Sequence, residues 1–169
     1  PGFWFGSHSP ARRLARACNE WAAKLVTDHP GRFGMFVNLP LPDVDGSLAE
    51  IEYGMDQLKA DGVCLLTSYG DKWLGDPMFD PVLAELNRRK ALVFVHPLAP
   101  TCCGNLIPWL PAALLEYPHD TNRAIMSLMF SGALSRFADI RFIFCHAGGS
   151  MPMFSGRMIH SGSNSRFLE

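Results

Sequence analysis

Two apolar runs in this sequence end on a histidine: Ala91 to Pro97 (ALVFVHP) and Ile140 to Gly149 (IRFIFCHAGG). Apart from Arg141, the residues leading to His146 are apolar, β-branched or aromatic, which predicts strands buried on both faces, as in a parallel sheet. Gly148 and Gly149 then break the second strand and let backbone approach whatever lies over its C-terminal end. Two parallel strands ending in histidine on one rim point to a metal or catalytic site.

The rest of the chain alternates around them. Ser9 and Pro10 open a helix whose Leu14, Ala17, Trp21 and Leu25 recur as one apolar face, ending at Asp28 to Gly31. Phe33 to Leu39 reads as a strand. Ser47 to Glu50 has the form of a capping box, with Leu48, Ile51, Met55 and Leu58 on one side of its helix. Gly62 to Thr67 is the next strand, and Asp80-Pro81 opens a helix with Val82, Leu83 and Leu86 inward. After the His96 strand comes a proline-rich connection, Leu98 to His119, of a length usually tied to function. Asp120 or Thr121 caps a fourth helix through Phe137, with Ile125, Leu128, Met129 and Leu134 inward and Gly132 permitting close contact with the sheet. A short helix begins near Pro152.

This order predicts an α/β fold with a parallel sheet. Strand starts at Phe33, Gly62, Ala91 and Ile140 are equally spaced but for the long connection, which favours a barrel over an irregular open sheet. No Gly-x-Gly-x-x-Gly follows any strand to support a dinucleotide fold. A closed barrel needs eight strands, so four make about half of one and leave two parallel edges open. The chain also opens at Pro1 without an initiator methionine, and we expect a single partial-barrel domain over 1–169, a piece of something longer, with a flexible polar tail at 160–169.

Composition removes several classes. A net charge of −1 gives no reason to expect nucleic acid or an anionic membrane as partner. No apolar run approaches the ~20 residues of a membrane span. The most apolar connection, Leu106 to Leu115, contains Pro108 and Pro111 and reads as a loop or lid. Five cysteines, with no Cys-x-x-Cys pair and no secretory leader, fit a reducing cytoplasm. The open edges and the Leu106 to Leu115 segment predict a homo-oligomer.

Ligands of barrels and open α/β sheets bind beyond the C-terminal strand ends, which singles out His96 and His146. Imidazole binds zinc- or manganese-type ions and exchanges protons near neutral pH, so one could hold metal while the other moves protons. The plainer alternative is that each bonds a neighbouring backbone group. His8, His29, His119 and His160 are assigned no chemistry. Gly148, Gly149 and Ser150 could offer N–H groups to a carboxylate or simply form a tight turn. Asn38, Thr67 and Ser68 could line the same pocket, and Arg157 could meet a carboxylate or lie exposed. Cys102 and Cys103, being adjacent, cannot readily chelate one ion. No serine-hydrolase elbow or Walker loop occurs.

Together, Asp28 to Phe33 (DHPGRF), Leu39 to Asp43 (LPLPD), Val95-His96-Pro97 and His146 to Gly149 with Pro152 and Arg157 resemble the amidohydrolase-related decarboxylases, which include the aminocarboxymuconate semialdehyde, γ-resorcylate and 6-methylsalicylate enzymes. Leu65 to Asp71 (LLTSYGD) and Trp73 to Pro77 (WLGDP) are most similar to the 6-methylsalicylate type. The resemblance implies a metal-dependent (β/α)8 barrel, of which this chain supplies about strands three to six, and non-oxidative decarboxylation of a small aromatic carboxylic acid with zinc or manganese. It makes His96 the strand-five metal ligand and His146 the strand-six catalytic histidine. Gly148, Gly149 and Arg157 become the substrate-binding candidates. The family's first-strand His-x-His or Glu-x-His pair and its eighth-strand aspartate have no counterpart here. A metal-dependent hydrolase of a lactone or amide and a non-catalytic barrel fragment are the alternatives.

Overall fold

The computed structural model describes residues 2–103 and 107–162 of the chain. Of the expected tail, 163–169 lie outside the described residues while 160–162 belong to the last helix, and Leu106 at the start of the expected lid also lies outside them. A long helix, α1 (His8–Asp28), leads to strand β1 (Phe36–Asn38), then α2 (Val44–Glu52), which runs on as a π turn (Tyr53–Gln57). Strand β2 (Gly62–Leu66) is followed by a small antiparallel hairpin, β3 (Ser68–Tyr69) and β4 (Lys72–Trp73), and by α3 (Asp80–Arg88). Then come β5 (Leu92–His96), α4 (Glu116–Phe130), α5 (Ala133–Arg136) and β6 (Arg141–Phe144). A four-residue turn, α6 (Cys145–Gly148), and a last helix, α7 (Met151–Gly162), complete the described chain.

The main sheet has the order β1-β2-β5-β6 and is parallel throughout. Its register puts Val37 beside Val63 and Val63 beside Val93, while Leu65 pairs with Val95. These five side chains share one face, and none is more than 1% exposed. Ile51, Val82, Leu83, Leu86 and Leu128 of the flanking helices pack into the same core. Burying each such aliphatic side chain contributes roughly 1.5–3 kcal/mol, so this face holds the helices to the sheet. Gly54 lets the π turn close on it, since a Cβ there would fall 2.3 Å from Val37 Cγ2.

The other face carries Phe36, Asn38, Cys64, Leu66, Phe94 and His96, all partly accessible, and Ile143, 43% exposed. One face is thus sealed by helices while the opposite one stays open, and the open face runs up to the two histidines. That is the inward face of a curved parallel sheet.

Several local expectations need correction. Strand β6, expected buried on both faces, alternates exposed and half-buried residues, and Met129, expected inward, is 42% exposed. Along α1 it is Ala11, Ala15 and Asn19 that are buried, whereas Leu14 and Trp21 are 41% and 69% exposed. The helix lies close to the sheet edge, where small residues fit and Asn19 has a polar task. Its side-chain amide donates to the Asn38 carbonyl and accepts from the Asn38 N–H, each at 2.9 Å, as a neighbouring strand would. The β1 edge is therefore covered at that point. Helix α2 starts before Ser47, because Asp43 supplies the cap by accepting from Gly46 N at 3.1 Å. Helix α4 begins at Glu116, so Asp120 and Thr121 are buried inside it. It stops at Gly132, whose φ of 73° forms the α4–α5 break instead of a close contact with the sheet.

Candidate metal centre

His96 closes β5, and its ring is fixed by the residue after it, because Nδ1 lies 2.7 Å from the Pro97 carbonyl oxygen. A carbonyl only accepts, so Nδ1 carries the proton and Nε2 is left with a lone pair for an electrophile. His146 arrives differently. The strand ends at Phe144, and His146 and Ala147 both take left-handed backbone, φ 52° and 53°. Gly149 N donates back to the His146 carbonyl at 2.9 Å and closes the turn. This turn swings the His146 imidazole to 5.5 Å from the His96 ring centroid, with the planes at 68°.

Tyr117, from the first turn of α4, flanks both rings at 6.1 and 6.4 Å. Cys145 joins the group, its Sγ lying 3.2 Å from His146 Nδ1. Donor atoms of His96, Cys145 and His146 all lie within 4.8 Å of one another. Burial holds the Cys145 thiol above its ordinary pKa. Two imidazoles and a thiol are a donor set that suits a divalent transition ion.

Of the other sequence candidates, Gly148 and Gly149 lie in this turn. Gly149 is required there: its φ is 64°, and a Cβ would fall 2.4 Å from the Pro118 carbonyl oxygen. Its N–H is committed to His146, and that of Ser150 to Pro118 at 3.1 Å, so neither faces an incoming carboxylate. Arg157 is exposed on α7. Asn38 lines a cavity of about 170 Å³ with Cys64, Leu66 and Tyr69 on the open face.

Thr67 and Ser68 do not line that cavity. Both are fully buried and bond Asp120 of α4. Asp120 Oδ1 also accepts from Trp73 Nε1 at 2.8 Å, which ties the β3–β4 hairpin to the helix that carries Tyr117. His119 has a partner too, since its Nδ1 lies 3.3 Å from Ser150 Oγ, behind the Gly149 turn. Sequence reasoning passed over Cys145 and Tyr117 and read Asp120 only as a helix cap. Of the two passed over, only Cys145 gave a signal, its adjacency to His146.

A parallel sheet sealed by helices on one face, with two imidazoles converging over its C-terminal rim, defines part of a (β/α)8 barrel of the metal-binding kind. The chain belongs to the amidohydrolase family, whose model matches residues 5–164. It is 43% identical over 145 residues to a 6-methylsalicylic acid decarboxylase of Penicillium expansum, a match covering 84% of this chain and 45% of that protein. A crystal structure of an amidohydrolase II superposes with a TM-score of 0.92 at 25% identity, covering 97% of this chain and 54% of the other. The fold is shared as well with 5-carboxyvanillate decarboxylase of Novosphingobium aromaticivorans, solved with manganese and 3-methoxy-4-hydroxy-5-nitrobenzoic acid, at a TM-score of 0.89 and 21% identity over 99% of this chain and 50% of that one. The chain spans about half the length of the relatives it matches.

Proposed function

We propose that this chain carries part of the active site of a metal-dependent, non-oxidative decarboxylase acting on a small aromatic carboxylic acid such as 6-methylsalicylate. The observation that carries the reading is the His96–His146 pair, 5.5 Å apart at the strand ends, in a chain so similar to the Penicillium expansum enzyme. His96 is the metal ligand, through Nε2, and the ion is zinc or manganese. When bound, the ion supplies Lewis-acid attraction for the carboxylate and phenolic oxygens and fixes the ring's orientation.

The reaction breaks the bond between ring carbon and carboxyl carbon, puts a proton on that ring carbon and releases carbon dioxide, leaving 3-methylphenol from 6-methylsalicylate. His146 holds and moves a proton at this centre, and its exposure suits exchange with solvent. Tyr117 and Phe94 bound the ring with apolar surface. Gly148, Gly149 and Arg157 belong to the substrate side, the glycines by forming the turn that presents His146 and Arg157 by its charge. Among the described residues no helix is long and apolar enough to cross a membrane. All five cysteines are free, which supports a cytoplasmic setting. Association into a homo-oligomer would cover exposed Trp109 and Leu114 of the long connection.

The test is incubation of the full-length enzyme that contains this chain, loaded with manganese or zinc, with 6-methylsalicylate, following 3-methylphenol by chromatography. The expected result is product formation that His96→Ala and His146→Ala both abolish. Cleavage of aryl lactones with no phenol formed from the acid would sink the decarboxylase reading in favour of hydrolysis on the same scaffold.

A further inference from the structure

We infer that the adjacent residues Cys102 and Cys103 are a reversible oxidation site, which a hydroperoxide closes into a disulfide at the start of the long connection. The pair stands apart from the metal centre but on the segment that joins its parts. That segment leaves β5 just after His96 and enters α4 just before Tyr117, which flanks both histidine rings.

Neighbouring side chains of a strand point to opposite faces and cannot meet. Here the chain turns instead. Cys103 N donates to the Pro100 carbonyl at 3.0 Å, and the two Sγ atoms come to 2.6 Å of each other. Carbon atoms in ordinary contact sit about 3.5–4.0 Å apart, so the sulfurs are already closer than that. A further approach of about 0.5 Å reaches the length of a disulfide bond. The surroundings of the two thiols differ. Cys102 is exposed, while Cys103 is half-buried with Arg123 Nη2 of α4 3.6 Å from its sulfur. Arg123 Nη1 lies 3.7 Å from the buried Asp120 carboxylate, so the pair is seated against a fixed part of the fold.

This asymmetry divides the work. Exposed Cys102 meets the oxidant first. Hydrogen bonding with Cys102 holds the Cys103 thiol above its ordinary pKa, so Cys103 keeps its proton until it is needed. The Cys102 thiolate, its proton lost to solvent, attacks one oxygen of hydrogen peroxide and breaks the O–O bond, leaving a sulfenic acid and a hydroxide that takes up a proton as water. The Cys103 sulfur then attacks the Cys102 sulfur, the S–S bond forms as the S–O bond breaks, and the departing hydroxide leaves with the Cys103 proton as a second water. Two thiols give up two electrons and one peroxide accepts them. Consecutive Cα atoms across a trans peptide are about 3.8 Å apart, short of the roughly 4.4–6.8 Å usual across a disulfide. The ring is therefore strained, and strained, exposed disulfides are the readily reduced ones, so thiols of a reducing cytoplasm restore the pair.

The test treats the full-length enzyme that contains this chain, purified reduced, with hydrogen peroxide. Remaining thiols are labelled with N-ethylmaleimide, and the tryptic peptide from Ala91 to Arg123 is weighed, in which Cys102 and Cys103 are the only cysteines. The expected result is a peptide two hydrogens lighter than the dithiol and carrying no label, with both labels gained if a dithiol reductant is added before labelling. Cys103→Ser should stop the reaction at a Cys102 sulfenic acid that dimedone traps, and Cys102→Ser should leave Cys103 open to the label, with far-UV circular dichroism confirming that both variants are folded. Both labels retained at a peroxide concentration that closes a reference dithiol, sulfinic acids that the reductant does not reverse, or a disulfide joining this peptide to one carrying Cys18, Cys64 or Cys145 would overturn the inference. None of these readouts involves the metal or the carboxylic acid, so failure here is distinct from failure of the decarboxylase reading.

Discussion

Asp120→Ala should destabilise the protein by about 3–5 kcal/mol, the cost of stripping one partner from a buried charged cluster. Asp120→Asn should cost only about 1–2 kcal/mol, the loss of charge assistance alone. The difference comes from the atoms around the carboxylate. Asp120 is fully buried and accepts from Thr67 Oγ1, from Ser68 Oγ at 3.4 Å and from Trp73 Nε1 at 2.8 Å, with Arg123 Nη1 3.7 Å away. Hydrogen bonds to a charged group contribute about 1.5–3 kcal/mol each, and the long Ser68 bond least. Alanine leaves the indole N–H, which can only donate, facing an apolar wall. Asparagine keeps an oxygen for the indole, and its amide can donate to the two hydroxyls, which rotate to accept. Urea denaturation with both variants gives the two costs, and a cycle with Trp73→Phe isolates the indole bond, expected near 1.5–3 kcal/mol. Equal costs for Ala and Asn to within about 0.5 kcal/mol, or no coupling to Trp73, would refute the argument that this carboxylate holds the hairpin to α4.

Gly149→Ala meets the Pro118 carbonyl at 2.4 Å in a backbone conformation with φ 64° and ψ −128°. Strain of about 1–3 kcal/mol plus overpacking should lower the melting temperature; a variant with unchanged melting would contradict the turn as described. Trp21→Gln, on the exposed face of α1, should change stability by no more than about 0.5 kcal/mol. Asn19→Leu should cost well over 2 kcal/mol in the same denaturation assay, because it strands the Asn38 backbone groups and Glu50, whose Oε1 accepts from Asn19 at 2.9 Å. Acid should unfold the chain in a defined window. The Arg12 guanidinium holds the Asp43 carboxyl well below the usual carboxylate range, and Arg88 with Arg89 pull Glu85 down to about 2. Groups with depressed folded-state pKa values stabilise above their unfolded values and lose that contribution as pH falls towards the folded ones. Stability should therefore decline below about pH 4.5, and Asp43→Asn should flatten the decline.

The parts of the fold legible in the sequence are those set by long-range apolar pattern. The runs ending at His96 and His146 become β5 and β6, Val82, Leu83 and Leu86 of α3 are buried as their spacing required, and a parallel α/β order follows. The errors fall where a polar side chain outcompeted the apolar pattern. On α1 the apolar spacing of Leu14 and Trp21 was real, but Asn19 could bond both backbone groups of Asn38 and the small Ala11 and Ala15 could approach the edge, so the helix turned its other face inward. On α4, aspartate and threonine looked like caps because caps are their common use; Asp120 instead found three donors, Thr67 and, on a hairpin whose two short strands carry almost no periodic signal, Ser68 and Trp73.

The metal centre shows the same division one level down. Strand alternation and rim position single out His96 and His146 separately, but alternation also says that Cys145 and His146 point apart. What brings them together is two residues of left-handed backbone, at His146 and Ala147, neither of which is a glycine. Left-handed backbone at non-glycine residues is costly and persists only where surroundings over-determine it. Here those surroundings are the Gly149 bond to the His146 carbonyl and the Ser150 bond to Pro118. Composition and periodicity carry no trace of that geometry. The strain is stored at the turn that brings the His146 ring to His96, so relaxing the turn should part the two imidazoles.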